Sequence, residues 1–294
     1  MMTPARRPFR YPHAAMAPAF YRAAVPPQAP FHHPAVAAVP PPPLPIGIPV
    51  RQVWAHNLDT EMDAVLAFAT RAVRVAVNVQ YPGVVHGAGM QADPGALAPE
   101  KRYAFLKANV DALKPLQLGL AVATDDGRCL AWEFNLAGFD RDADPHATRS
   151  VAYLAGRGMD LDAHRLRGVP AARLTMALHH CGLLRRPGLA WVTYAGAYHV
   201  AYLMKIVTGG RPLPGDVAGF VALVQRFLGG DVHDVARMAG NCPGLPIGLE
   251  RIAGALGLAP PLGSAHLAGA RAVVAMQVFF ALGSGFGRGL APLI

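Results

Sequence analysis

Ala72-Val73-Arg74-Val75-Ala76-Val77-Asn78-Val79-Gln80-Tyr81-Pro82-Gly83-Val84-Val85 is the stretch whose reading decides the fold. The β-branched run from Val73 to Val79 predicts a strand, because branched side chains suit a pleated surface and lose rotamer freedom against a helix turn. Upstream, Val53, Trp54, Leu58, Met62, Val65, Leu66 and Ala69 recur at helical spacing and predict a helix feeding that strand. Downstream, Leu118–Ala123 and Cys129–Phe134 read as two further strands. Thr124-Asp125-Asp126-Gly127 between them carries the Asp-Gly signal of a hairpin, so these two strands are expected to be antiparallel. Beyond Asp140 the pattern is mainly helical through Leu184, followed by a short strand at Leu189–Tyr194, a helix from Ala197 to Val207, and helices to the end. Strands first, then strands alternating with helices, predict one α/β sheet covered by helices.

The composition of the 294 residues, 53% hydrophobic, suffices for a buried core. A net charge of +9 permits an anionic partner such as RNA. No Asp or Glu precedes Asp59, while Arg6, Arg7, Arg10, Arg22 and Arg51 do, so part of the excess belongs to a basic amino-terminal arm. Half of the prolines fall before Val50, culminating in Pro40-Pro41-Pro42-Pro43-Leu44-Pro45, where fixed φ and missing donors oppose helix and ladder alike. The expected organisation is a disordered Pro-rich arm over 1–49, one domain over 50–283, and a flexible Gly-rich tail over 284–294. Cys129, Cys181 and Cys242 lack paired zinc spacings and are odd in number for a disulfide framework, which suggests a reducing compartment. The longest apolar stretch, Ala272 to Gly283, is shorter than the roughly 18–20 residues a membrane helix needs, so no membrane role is expected.

Tyr81-Pro82-Gly83-Val84-Val85 resembles the strand end of the Caf/Pop-type deadenylases, the exonuclease subunit of the eukaryotic CCR-NOT complex, which reads Asp-Thr-Glu-Phe-Pro-Gly-Val-Val. The likeness continues in order through Val53-Trp54, Asn57-Leu58, Asn109-Val110-Asp111, Gln117-Leu118-Gly119-Leu120, Trp132, Phe134-Asn135, Tyr202-Leu203 and Phe279-Phe280, covering about residues 50 to 283. It implies a ribonuclease-H-like mixed sheet flanked by helices, and the DEDD exonuclease chemistry in which four carboxylates hold two divalent metals. One metal generates the attacking hydroxide and the other stabilises the leaving oxygen. Magnesium requires hard anionic oxygens in such a site.

Carried over position by position, the resemblance places none of the four acids. The first two stand two apart on the strand, where alternation turns i and i+2 to one face, and they are here Asn78 and Gln80. The family's Phe-His-Ser-Gly-Tyr-Asp-Phe-Gly-Tyr-Leu aligns without a gap onto Tyr194 to Leu203, so the third acid is His199. His-Gln-Ala-Gly-Ser-Asp-Ser matches His266 to Ala272 and makes the fourth Arg271, while His266, which in the family orients or deprotonates the attacking water, is kept. The formal local charge changes from about −4 to about +1, and at an effective dielectric near 20 each unit charge at about 4 Å is worth roughly 4 kcal/mol. Metal cofactors are therefore expected to be lost, although the family uses two divalent ions such as magnesium.

Asp59-Thr60-Glu61 spells the family's Asp-Thr-Glu intact, but within a helical pattern, where i and i+2 diverge; a solvated helix face is expected. Asp216, Asp231 and Asp234 are poorly placed to replace a lost acid, and adjacent His179-His180-Cys181 point apart on a helix. The resemblance thus implies a deadenylase-family subunit that occupies the deadenylase place on the NOT scaffold, in nucleus and cytoplasm, and acts in messenger RNA poly(A)-tail turnover without being an enzyme. Two alternatives stay open. His199, His266 and Arg271 could form a metal-independent pocket for RNA phosphates, since arginine suits bidentate contact with phosphate, or the chain could be an active poly(A)-specific 3'-5' exoribonuclease through a site read wrongly.

Overall fold

The computed structural model describes residues 44, 47–87, 97–229, 231–259, 261 and 267–283. The arm through Pro43, the tail from Ser284 and His266 lie outside the described residues. Ile48 is fully buried, so packing begins just before the boundary expected at Val50.

Six strands form one sheet in the order β1-β4-β3-β2-β5-β6. They are β1 (Val50–Val53), β2 (Ala72–Gln80), β3 (Gln117–Thr124), β4 (Cys129–Asn135), β5 (Ala190–Thr193) and β6 (Val232–Asp234). β3 runs antiparallel to β2 and β4, whereas the β1–β4, β2–β5 and β5–β6 pairs are parallel. The carboxyl ends of β1, β2, β4, β5 and β6 therefore share one edge of the sheet.

The expected meander and the strand at 190–193 are present, and the helix expected at Ala197–Val207 has those bounds. Two readings need correction. The helical pattern taken to start at Val53 splits: Val50–Val53 form β1, Ala55 to Asn57 make a turn in which the Asn57 side chain accepts the Trp54 N–H, and helix α1 runs from Leu58 to Ala69. The last segment, where helices are expected to dominate, also contains the three-residue β6, which that reading lacks.

Alternation in β2 sorts the molecule into layers. Val75, Val77 and Val79 face a core shared with α1, α2 (Pro99–Ala112), α5 (Ala171–His180), α6 (Ala197–Val207) and α7 (Val217–Leu228). Ala76 faces the opposite core, closed by α8 (Val235–Gly240), α9 (Leu249–Ala255) and α10 (Ala268–Gly283). Small helices α3 (Thr148–Gly156) and α4 (Leu161–Arg167) complete the fold. Each buried Val or Leu in these layers contributes about 1.5–3 kcal/mol relative to exposure. α10 can lie close because β3 has no side chain at Gly119: a Cβ there would sit 2.1 Å from the Ala268 carbonyl oxygen.

Candidate functional site

The period of two that buries Val77 and Val79 turns Asn78 and Gln80 to the other face at the carboxyl end of β2. Asn78 is buried and Gln80 half-buried. β5 pairs with β2 only as far as Ala76↔Val192, so the Val79 backbone beyond it has no strand partner on that side. His199 fills the gap. Its Nδ1 lies 3.1 Å from both the Val79 nitrogen and the Val79 carbonyl oxygen, and its Nε2 lies 3.0 Å from Asn78 Nδ2. With the proton on Nδ1, that nitrogen donates to the Val79 carbonyl and Nε2 accepts from the Asn78 amide, so both are engaged; a proton on Nε2 would set two donors face to face. Gln80 Nε2 donates to Asn78 Oδ1 at 3.4 Å and extends the chain.

His199 reaches this place because α6 starts on a tightly specified turn. Ala195 has φ +49°, and its N–H and that of Gly196 both donate to the Asp234 carboxylate, at 2.9 and 2.7 Å. Only glycine fits at 196, where a Cβ would approach Thr193 Cγ2 to 2.0 Å. Arg271 stands in the first turn of α10, with its N–H on the Leu267 carbonyl. Its guanidinium is ion-paired with Glu250 of α9.

Burial first, and then the positive charge of Arg271, push the His199 imidazole down to about 3, against the opposing effect of the Val79 hydrogen bond. His199 is therefore neutral near pH 7 even though the ring is only half-buried by area. Tyr81 stacks on Tyr202 and Tyr198 with centroids 4.8 and 5.2 Å apart and meets the His199 ring edge-on at 6.4 Å. Burial raises the Tyr81 phenol and pushes that of Tyr198 up to about 12, so this wall is uncharged.

The structure brings Asn78, Gln80 and His199 into one hydrogen-bonded row and sets Arg271 within electrostatic reach, turned to Glu250. Two amides, a neutral imidazole and a guanidinium do not fit a pair of divalent cations, which need clustered carboxylate oxygens. Nor is Arg271 free for a phosphate. Glu250 went unnoticed in the sequence because no local motif marks it, and Tyr81, Tyr198 and Tyr202 stood in matched segments without their stacking being legible.

The other candidates have structural partners. Asp59 is exposed and pairs with Arg173, as a solvated helix face predicts. Glu61 differs: it is buried, receives Arg51 Nε at 2.6 Å and Trp132 Nε1 at 3.1 Å, and bolts α1 to the sheet. Asp216 caps α7, Asp231 meets His233, and Asp234 clamps the α6 turn. His179, His180 and the Cys181 thiol each engage a different backbone carbonyl, those of Val207, Met176 and Leu178. Among the described residues no group of three or more His, Cys, Asp or Glu converges to hold a metal.

No protein-family model matches the chain. It is 34% identical over 230 residues to probable CCR4-associated factor 1 homolog 5 of Arabidopsis thaliana, spanning 78% of this chain and 80% of the relative. It is 29% identical over 243 residues to the poly(A) ribonuclease pop2 of Schizosaccharomyces pombe, spanning 80% of this chain and 70% of pop2. A solved structure of S. pombe Pop2p with Mg2+ and Mn2+ bound superimposes with a TM-score of 0.72 at 29% identity, covering 81% of this chain and 93% of that one. The yeast CAF1 crystallised with the NOT1 MIF4G domain shares the fold, with a TM-score of 0.65 at 23% identity over 80% of this chain and 88% of that one.

Proposed function

Because the chain belongs to the CCR4-associated factor 1/Pop2 family, we propose that it is a catalytically silent deadenylase-family subunit of the CCR-NOT complex. It occupies the deadenylase place on the NOT scaffold, in nucleus and cytoplasm, and influences poly(A)-tail turnover without cleaving RNA. One observation carries this reading: the side chains at the four acid positions engage one another or a neighbour, Gln80 with Asn78, Asn78 and the Val79 carbonyl with His199, and Arg271 with Glu250. A site that had merely lost its acids would leave buried polar groups without partners, at about 1–3 kcal/mol each.

The names of the relatives support the complex: the yeast homologue was crystallised with a NOT1 domain, and pop2 is a poly(A) ribonuclease. The intact fold supports retention of the scaffold contact; the donor set argues against turnover. Arg271, committed to Glu250, does not favour a phosphate pocket at that position.

Two measurements test the proposal. Purified protein incubated with a labelled polyadenylate substrate and magnesium should leave it intact, and capture on an immobilised NOT1 MIF4G domain should retain the protein. Magnesium-dependent shortening from the 3' end would overturn the silent reading, and failure of well-folded protein to be captured would overturn the scaffold reading.

A further inference from the structure

Between the edge strand β1, the carboxyl end of β4, helix α4 and the start of α10 lies a groove of about 370 Å³. Its polar wall is one hydrogen-bonded set. Gln117 Nε2 donates to Asn135 Oδ1 at 2.8 Å, Asn135 Nδ2 to Gln52 Oε1 at 3.0 Å, and Gln52 Nε2 to Glu133 Oε1 at 3.0 Å. The other Glu133 oxygen accepts the Gly269 N–H of α10 at 2.7 Å. Trp54, Met159 and Leu267 supply the apolar wall.

Glu133 is the unusual member of this lining. Its residue is 1% exposed, and among the described residues no Lys or Arg pairs with it. The other buried glutamate, Glu61, holds the Arg51 guanidinium. A carboxylate removed from water without a cation is unfavourable, and burial raises the Glu133 carboxyl against the opposing hydrogen bonds from Gln52, Gly269 and Gln117. The first turn of α10 offsets only part of a unit charge. A carboxylate has roughly four acceptor sites, more than these donors use.

His164 of α4 is a second unfilled group in the same lining: it is buried, and its Nδ1 has no hydrogen-bond partner. Burial lowers the imidazole, so the ring is neutral near pH 7. The charged side chains of the lining are then Glu133, Asp160 and Arg167, two carboxylates against one guanidinium, and the Arg167 guanidinium already lies over the Trp54 ring at 5.5 Å.

We propose that this groove binds a small amidinium or guanidinium compound, with its planar N–H fork on the Glu133 carboxylate and its apolar body against Trp54, Met159 and Leu267. Such forks match a carboxylate with two parallel hydrogen bonds, and a groove of this size with a few placed polar groups has the usual form of a small-molecule site. A further ligand N–H would give an unprotonated His164 Nδ1 its partner. The groove is separate from the degenerate row. Glu133 pairs with Gly119 and Gly119 with Asn78, so two strand spacings, about 10 Å, lie between them, and the start of α10 packs over Gly119. The proposal does not rest on the silent-subunit reading.

The test is isothermal titration calorimetry of the full chain with benzamidine and with benzamide, its neutral isostere. Benzamidine is expected to bind with a Kd below about 1 mM, and benzamide at least about tenfold more weakly, because only the amidinium makes a charge-assisted fork. Glu133→Gln, with its folding checked by circular dichroism, should bind benzamidine at least about tenfold more weakly. A native chain isotope-labelled at its methionine methyls locates the ligand without any change to Glu133: the Met159 signal should move, and that of Met176, exposed on α5, should stay. No binding by the native chain at about 10 mM benzamidine, equal affinity for the two compounds, equal binding by folded Glu133→Gln, or an unmoved Met159 signal each overturns the proposal.

Discussion

His199 is a histidine that the fold holds neutral. Its depressed pKa means that the unfolded chain takes up a proton at this residue near pH 6.5 while the folded chain resists until about pH 3. The associated stability is complete above about pH 6.5 and is lost progressively as pH falls towards about 3, with a slope of at most about 1.4 kcal/mol per pH unit for one proton. Burial also lowers His164 and His233, which act in the same direction. Melting temperatures recorded from pH 7.5 to pH 4.5 should therefore fall for the native protein and fall less steeply for His199→Gln, in which no proton is bound. Parallel curves for the two proteins would show that His199 ionises freely. The sequence alone singled out Asn78, Gln80 and His199, which the structure joins in one row, because the flanking pattern is short and local. Their mutual satisfaction was hidden, since Glu250 meets Arg271 across two helices and His199 meets Val79 across 120 residues.

Among the elements, α10 and the strand beneath it are the most tightly specified pair. The helix brings Arg271 to the sheet edge only because position 119 has no side chain, the Ala268 carbonyl standing 2.1 Å from where a Cβ would be. Gly119→Ala must push α10 outward and is expected to cost about 3 kcal/mol, at the upper end of overpacking effects. Gly254→Ala is the matched control. It lies within α9, where an added Cβ would meet nothing within 4 Å, and should raise stability by about 0.5–1 kcal/mol. Guanidinium titrations of the two variants decide; a Gly119→Ala protein as stable as the native one would mean that α10 does not need the close approach. Sequence patterns served elements unequally. The β2–β4 meander was legible through its β-branched runs and Asp-Gly turn, and α6 through its apolar face. β1 and β6 were not, because strands of four and three residues at the two edges of a sheet are specified by pairing with distant segments and not by their own pattern.

For the whole molecule, retained and altered residues divide by role. Trp132, Phe134 and Tyr202, shared with the family pattern, are among the largest fully buried side chains, so the architecture rests on the part of the sequence that has not diverged. On the proposed reading, divergence at the four acid positions exchanges a cluster of like charges for a hydrogen-bonded row, and the stability of the whole chain should register that exchange. Four carboxylates within a few ångströms repel one another unless metal is present, each unit charge at about 4 Å being worth roughly 4 kcal/mol at an effective dielectric near 20. The restored variant, Asn78→Asp with Gln80→Glu, His199→Asp and Arg271→Asp, should accordingly melt below the native protein in EDTA, all the more because Glu250 loses its partner. Magnesium at about 100 times its dissociation constant would then stabilise the variant by about 2.7 kcal/mol, a rise of about 5–10 °C for a domain of this size. The native chain, with two amides, a neutral imidazole and a guanidinium in those places, should melt at the same temperature with and without magnesium. A native melting temperature that climbs with magnesium as the restored variant does would mean that oxygen donors outside these four positions hold the metal, and the silent reading would fall with it.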